Sequence, residues 1–186
     1  MTSMNWPNRD RVGNKARAYS ASEHSEIHWA PITFGPHKGK TLPQVFFADP
    51  DYFIRMHDEG RFSGRLSNDA ECIYERATRI RPPGKDPRLW EFAIIAEIES
   101  QQFRRLVIIK KGRTLAKLKD QSPALEIQSR CAVLDAIAAR RIAGRSKAGR
   151  EKFDKSLRRR LLGETSTVSN RLACEAYFDD DSNFAY

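Results

Sequence analysis

Cationic side chains are concentrated in one segment of this 186-residue chain, and phosphate binding is the chemistry that they could perform. Residues 129 to 163 hold eleven lysines and arginines against three acidic residues, which leaves a net charge of +8. Eight of the eleven are arginines, whose planar guanidinium group pairs with two phosphate oxygens at once. Each phosphate that such a residue neutralises adds a salt-dependent increment to affinity. The segment therefore predicts contacts to a nucleic-acid backbone.

The predicted phosphate-binding residues come from this segment and from a separate glycine-rich turn. They are Lys38, Lys40, Arg140, Arg141, Arg145, Lys147, Arg150, Lys152, Lys155, Arg158 and Arg159. On a helix, Lys152, Lys155 and Arg159 would share one outer face, opposite Phe153 and Leu157. Two other interpretations stay open, because such a face can simply be solvated or can dock an acidic protein.

Acidic side chains offer a second chemistry, metal-dependent cleavage of phosphodiesters. Glu97 and Glu99, with Asp86 or Glu91 and Lys110, could approach a divalent cation. The Glu-x-Lys step that such a nuclease centre would need is absent, so a nuclease is the third of our three hypotheses. We predict no catalytic residue, no metal ligand and no cofactor.

The end of the sequence is acidic where the preceding segment is basic. Residues 164 to 186 hold five acidic residues against one basic residue, a net charge of −4. Asp179, Asp180 and Asp181, followed by Phe184, resemble distantly the acidic tips of bacterial single-stranded-DNA-binding proteins. The resemblance implies that these four residues bind a protein partner. We also expect the three aspartates to compete with phosphate for the basic face, unless the segment is merely a disordered acidic end.

Residues 32 to 57 are predicted to form a turn followed by two short helices. Gly35 and Gly39 can take positive φ in the turn without steric cost. Thr41 is a helix cap, with Pro43 tolerated in the first turn. Asp49 caps the next helix, with Pro50 at its first position.

This stretch resembles a known accessory domain. The residues concerned are Phe34-Gly35-x-His37-Lys38-Gly39-Lys40-Thr41-Leu42 and Asp49-Pro50-x-Tyr52-Phe53. They resemble the C-terminal domain of exodeoxyribonuclease-X-like proteins over residues 32 to 80, although Pro36 replaces a basic residue of the family pattern. Because the exonuclease domain is missing, the resemblance implies a nucleic-acid-associated module rather than a nuclease.

The remaining elements follow from periodicity. We predict a helix over 69–79 capped by Asn68, and a β-hairpin over 89–111. A helix is predicted from Pro123 onward, because five residues step by four, three, four and four: Ile127, Cys131, Leu134, Ala138 and Ile142. A second helix is predicted over 148–162 with Gly163 just after its end, and a short one over 170–177.

Together these patterns predict an α+β protein: a small turn-plus-helices unit, an antiparallel hairpin and C-terminal basic helices. The predicted division is a flexible lead-in (1–30), one domain (31–163) and an acidic tail (164–186). Trp6 or Trp29 could order the lead-in by docking.

The function predicted is non-enzymatic nucleic-acid binding, of DNA by preference, in DNA processing or gene regulation. The alternative is a protein-interaction module, an adaptor or inhibitor, that docks an acidic partner. No apolar run is long enough for a membrane span. Three widely separated cysteines without a Cys-x-x-Cys pair fit a cytoplasmic protein.

Overall fold

The computed structural model describes residues 29–114, 125–163 and 170–186. In these ranges the chain has six α-helices, one short 3₁₀ helix and three strands, which confirms the α+β class. The elements in chain order are α1 (Leu42–Ala48), α2 (Pro50–Asp58), α3 (Arg65–Ala77), β1 (Trp90–Glu97), β2 (Phe103–Lys110), β3 (Leu125–Cys131), α4 (Ala136–Ala143), α5 (Lys147–Leu161), α6 (Arg171–Asp179) and the 3₁₀ helix Asp181–Asn183.

The predicted turn before α1 is confirmed. The Ile32 amide donates to the Lys40 carbonyl, and the Gly39 amide donates to the Ile32 carbonyl, each at 2.8 Å. Gly35 and Gly39 have φ of 67° and 86°, a region that side chains with a Cβ disfavour. The turn therefore depends on glycine at both positions.

The predicted starts of α1 and α2 are also confirmed. Thr41 is the N-cap of α1, and its amide donates to the Gln44 side chain at 3.1 Å. Asp49 is the N-cap of α2, where its carboxylate accepts from the Tyr52 amide at 3.0 Å, and Pro50 occupies the first helical position. Phenylalanines of both helices pack in one common core.

The start predicted for α3 is wrong. The helix begins at Arg65 after Gly64, which has φ of 57°, so Asn68 lies inside the helix and is exposed. Ile73 and Ala77 are buried on the inner side of the helix. Ile80 is buried too, but beyond the helix, where it bridges to two distant residues, Leu134 and Phe184.

The β1–β2 hairpin is confirmed, and β3 pairs with the other edge of β1 in the order β2-β1-β3. The β3 strand contradicts the helix predicted from Pro123. Leu125 and Ile127 alternate along this strand and pack against one apolar cluster, while Cys131 packs against the main core. The pairing with β1 outweighs a helical spacing that is also present in the sequence.

Both faces of the sheet are apolar. Phe92, Ile94 and Leu106 face the main core, which also contains the phenylalanines of α1 and α2. The opposite face has its own cluster of four buried residues: Ala93, Ile95, Val107 and Ile109. The sheet is thus a buried layer rather than a half-exposed one.

Helix α5 packs along β2 and is the predicted second basic helix. Phe153, Leu157 and Leu161 are buried, and the Phe153 ring lies 5.5 Å from the Phe103 ring. Gly163, with φ of 70°, follows its last turn as predicted. Helix α4 precedes α5 and is shorter than the helix predicted from Pro123.

The last residues are part of the core, which corrects the predicted tail. Phe178 and Phe184 are fully buried, so residues 170–186 are not a separate acidic tail. Trp29 is buried as well, and its Nε1 donates to an Asp179 carboxylate oxygen at 2.9 Å. Of the two tryptophans that could dock, Trp29 does so, whereas residues 1–28 of the predicted lead-in, with Trp6, lie outside the described residues.

Within the described ranges, no helix combines the length and the apolar character that crossing a bilayer would require.

Candidate nucleic-acid interface

The outer face of α5 and the turn before it hold a group of cationic side chains. Ser146 begins the helix by accepting from the Gly149 amide at 3.0 Å. Five predicted phosphate-binding residues are grouped here, four exposed and Lys152 half-buried: Arg145, Lys147, Lys152, Lys155 and Arg159. None of the five forms an ion pair with another residue of the described ranges. We call these five residues the α5 cation face.

Two members of the predicted set are buried, which corrects their assignment to an exposed surface. Arg140 is 3% exposed, and its Nη2 and Nε lie 2.9 Å from Asp51 Oδ2 and 3.0 Å from Asp154 Oδ1. Arg158 is also buried and donates from Nη1 to the Phe47 carbonyl at 2.7 Å. Their charges join α4 and α5 to the first two helices, so they do not face a ligand.

Two further members are paired at the surface. Arg141 Nη2 lies 3.0 Å from Asp58 Oδ2. Arg150 lies 3.7 Å from Asp51 and donates to the Gly144 carbonyl at 3.3 Å. The predicted set of basic residues is thereby divided between those that join the helices and those that form no ion pair within the described residues.

The half-buried Asp154 carboxyl lies among these arginines. Burial raises its pKa to about 6, although Arg140 and Arg158 act in the opposite direction. Desolvation is the largest influence on this pKa, and the negative charges of Asp51 and Asp49 raise it further. A neighbouring cleft between α2, α4 and α5, to which Arg140 and Asp51 also contribute, is lined by both charge signs. Such a mixed lining is typical of helix attachment rather than of an anion site.

The lysine turn holds a buried histidine to which the sequence pattern assigns no role. Lys38 and Lys40 are exposed, as a phosphate contact requires. His37 Nε2 lies 3.0 Å from Asp49 Oδ2, and its Nδ1 lies 3.5 Å from Lys40 Nζ. The His37 ring also meets the Tyr52 ring edge-on at 4.7 Å. His37 therefore joins the turn to the start of α2. The feature of the sequence that could have indicated this contact is the separation of twelve residues between His37 and the capping Asp49.

Like charges meet at the end of α5. Arg160 donates from Nε to the Leu106 carbonyl of β2 at 3.3 Å. Burial lowers the pKa of Arg160, and the nearby charges of Arg159 and Arg105 lower it further. The predicted set omits Arg160 and Arg105, and the adjacent arginines 104 and 105 on a predicted strand are the signal that could have indicated them. The positive charge of the α5 cation face thus continues toward the sheet.

Three of the four acidic residues considered for a nuclease form ion pairs, and the fourth, Glu99, is exposed. Glu91 lies 2.6 Å from Arg130, Asp86 lies 3.1 Å from Arg88, and Glu97 contacts Arg104. In the part of the chain that the structure describes, no three histidine, cysteine or acidic side chains are grouped as metal ligands. The three cysteines are free thiols.

The residues predicted to bind a protein partner are internal contacts instead. Phe184 is fully buried, and Asp179 accepts from Trp29. Asp181 lies 2.6 Å from Arg76, and Asp180 accepts from the Ser182 amide at 2.9 Å. Because Phe184 is buried, its ring is not available for contact with a protein partner. These contacts hold the C-terminal segment to α3 and to the first described residues.

Comparisons of the chain with protein-family models, with curated proteins and with solved structures found no match. The resemblance of residues 32–80 to the C-terminal domain of exodeoxyribonuclease-X-like proteins therefore stays a prediction.

Proposed function

We propose that this protein binds nucleic acid without cleaving it, through contacts between the α5 cation face and phosphate groups. One observation carries the proposal: these five cations lack carboxylate partners among the described residues, while their neighbours Arg140, Arg141 and Arg150 are paired. We propose that the protein acts in DNA processing or in gene regulation.

The geometry of the helix suits a phosphate backbone. Lys152, Lys155 and Arg159 lie on one side, opposite the buried Phe153 and Leu157. At 1.5 Å of rise per residue these three cations span about 10 Å along the helix. That span is enough to meet successive phosphates of one strand, and contacts of this type position a protein without reading sequence.

Charge substitution on this face is the direct test. The variant Lys152→Gln, Lys155→Gln, Arg159→Gln should weaken binding to all sequences alike. It should also flatten the dependence of log affinity on log salt, by up to about 0.9 for each duplex phosphate that the variant no longer neutralises. Titrations of duplex and single-stranded DNA over a salt series give both quantities.

A control with the same net charge separates specific contacts from general attraction. The variant Arg61→Gln, Arg141→Gln, Arg171→Gln removes three cations that are each paired with a carboxylate: Glu59, Asp58 and Glu175. It should retain most of the affinity. Equal reductions in affinity for the two triple variants, or no reduction for the first, would contradict the proposal.

The alternative, an adaptor or inhibitor of an acidic protein, would use the same face. Polyglutamate distinguishes the two functions, because it offers charge without the spacing of phosphates. Tighter binding of polyglutamate than of DNA at equal salt would favour the protein-interaction module.

A further inference from the structure

The open end of the β1–β2 hairpin carries exposed apolar side chains among cations. Leu89 is 61% exposed, and the adjacent Trp90 is half-buried. Lys85 Nζ lies 5.0 Å from the centre of the Trp90 ring, and Lys110 Nζ lies 5.7 Å from it. A large aromatic surface left near solvent and flanked by ammonium groups is unusual for a residue that only fills a core.

Backbone pairing holds these side chains together. Trp90 is directly opposite Lys110 in the register of β1 and β2, so both side chains lie on one face of the sheet. The Lys111 amide donates to the Leu89 carbonyl at 2.9 Å. Arg130 Nη2 donates to the Arg113 carbonyl at 2.5 Å, which fixes the chain just beyond β2. The cluster is thus part of the sheet framework.

The charge of this end is strongly positive. Lys85 and Lys110 lie over the Trp90 ring, and three further cations belong to the chain segments on either side of this end of the hairpin: Arg88, Lys111 and Arg113. The neighbouring carboxylates are already used, since Asp86 pairs with Arg88 and Glu91 pairs with Arg130. Within the described ranges, four of the five cations form no ion pair with a carboxylate.

We infer that this cluster is a subsite for single-stranded nucleic acid, in which an unpaired base stacks on Trp90 and the surrounding cations bind the adjoining phosphates. The inference rests on the proposed function and adds the class of nucleic acid. Aromatic side chains and positively charged grooves recur in proteins that bind single strands, because every base has a flat face. Bases of a duplex are stacked on each other, so they cannot use this surface without unpairing.

The lysines above the indole are compatible with such a ligand. Both ammonium groups end flexible side chains, and the attraction that holds them to the ring is modest at exposed sites. An incoming base replaces one ammonium group over the ring, and that group then pairs with a phosphate of the same strand. The cation is therefore retained in the complex rather than expelled from it.

The test compares Trp90→Leu, which keeps apolar bulk without a flat ring, with Trp90→Phe, which restores a ring. Oligothymidylate and a duplex of equal length are the probes. Trp90→Leu should lower oligothymidylate affinity about tenfold or more, with duplex affinity unchanged, and Trp90→Phe should recover most of that affinity. Circular dichroism of each variant confirms that it is folded.

Tryptophan fluorescence supplies a second readout that a merely structural role would not change. Trp29 is buried against Asp179, so quenching on addition of oligothymidylate should come from Trp90. It should vanish in Trp90→Phe and persist in Trp6→Phe, a change outside the described residues.

The outcomes separate this inference from the proposed function. If the α5 triple variant fails to bind while Trp90→Leu binds oligothymidylate normally and quenching persists in Trp90→Phe, the inference is wrong and the function stands. If the unaltered protein binds neither probe, both are wrong. Trp90-dependent binding to anionic vesicles or polyglutamate, without binding to oligothymidylate, would also overturn the inference.

Discussion

Gly35 and Gly39 have similar backbone conformations but different surroundings. Both have positive φ. A Cβ built on Gly35 would lie 2.8 Å from the Tyr52 hydroxyl, whereas one on Gly39 would meet nothing within 4 Å. The Tyr52 ring is itself buried and held by the His37 ring. Substitution of Gly39 therefore tests backbone strain alone, whereas substitution of Gly35 tests backbone strain and steric conflict together.

We expect Gly39→Ala to lower the free energy of unfolding by about 1–2 kcal/mol, the cost of a left-handed backbone for a residue with a Cβ. Gly35→Ala should cost more, because the tyrosine must also move. Tyr52→Phe removes the conflicting oxygen, so the cost of Gly35→Ala should fall in that background while that of Gly39→Ala stays the same. Urea unfolding of the single and double variants measures this coupling. Equal costs at the two glycines would contradict the explanation.

At the scale of single residues, the sequence predicts local roles well and distant partners poorly. Asp49 is predictable as a cap because its partner, the Tyr52 amide, is three positions away. The burial of Arg140 depends on Asp51, which is far away in sequence. A charge pattern on one helix cannot distinguish an arginine that binds phosphate from one that fastens helices, since both need the same charge.

At the scale of elements, α4 and α5 approach each other closely at Gly149. A Cβ on this residue would lie 2.5 Å from the Ala143 carbonyl oxygen, which belongs to the backbone and cannot rotate away. Glycine is needed here for close contact, although it lies in the first turn of a helix that would otherwise favour alanine.

We expect Gly149→Ala to destabilise the protein. Helix propensity alone predicts the opposite, a stabilisation of up to about 1 kcal/mol. The destabilisation arises because α4 and α5 must separate to admit the methyl group. Thermal unfolding followed by circular dichroism measures the change. Lys155→Ala, an exposed substitution in the same helix, is the control and should change stability little. A raised melting temperature for Gly149→Ala would contradict the close contact.

The elements predicted correctly are those whose signals are local. The β1–β2 hairpin and α5 have apolar periodicity and a nearby turn or cap, so few alternatives compete. In β3, the spacing from Ile127 to Leu134 also fits a helix. Its strand conformation depends on pairing with β1, which lies far back in the chain. A non-local contact of this type leaves no unambiguous pattern in the segment itself.

At the scale of the whole molecule, the C-terminal segment completes the core. Phe184 stacks on Phe178 with ring centres 5.8 Å apart, and the Arg76 guanidinium lies 5.2 Å from the Phe184 ring. The segment also binds α3 through the Arg76–Asp181 ion pair. The acidic residues of this segment therefore stabilise the fold, whether or not they also interact with the α5 cation face.

We expect Phe184→Ala to lower the free energy of unfolding by about 3–5 kcal/mol, the usual cost of emptying a buried phenylalanine site. Tyr186→Ala is the control, because that side chain is 78% exposed, and it should cost far less. Deletion of residues 178–186 should abolish the cooperative unfolding transition. A truncated protein that stays folded and binds DNA more tightly would instead support competition between the aspartates and phosphate.

The bridges at Ile80 have a consequence for the kinetics of the molecule. Residues 79–81 pair with Leu134 on one side and with residues 183–185 on the other, through the amides of Ile80, Arg81, Leu134 and Ala185. Three remote stretches of chain thus share one small ladder of hydrogen bonds. None of these amides is released by fraying of a single element, so we expect them to exchange with solvent deuterium through a common opening event. These contacts also have long sequence separations, and distant segments must meet before the ladder forms. We therefore expect a lower folding rate than in a protein with mainly local contacts.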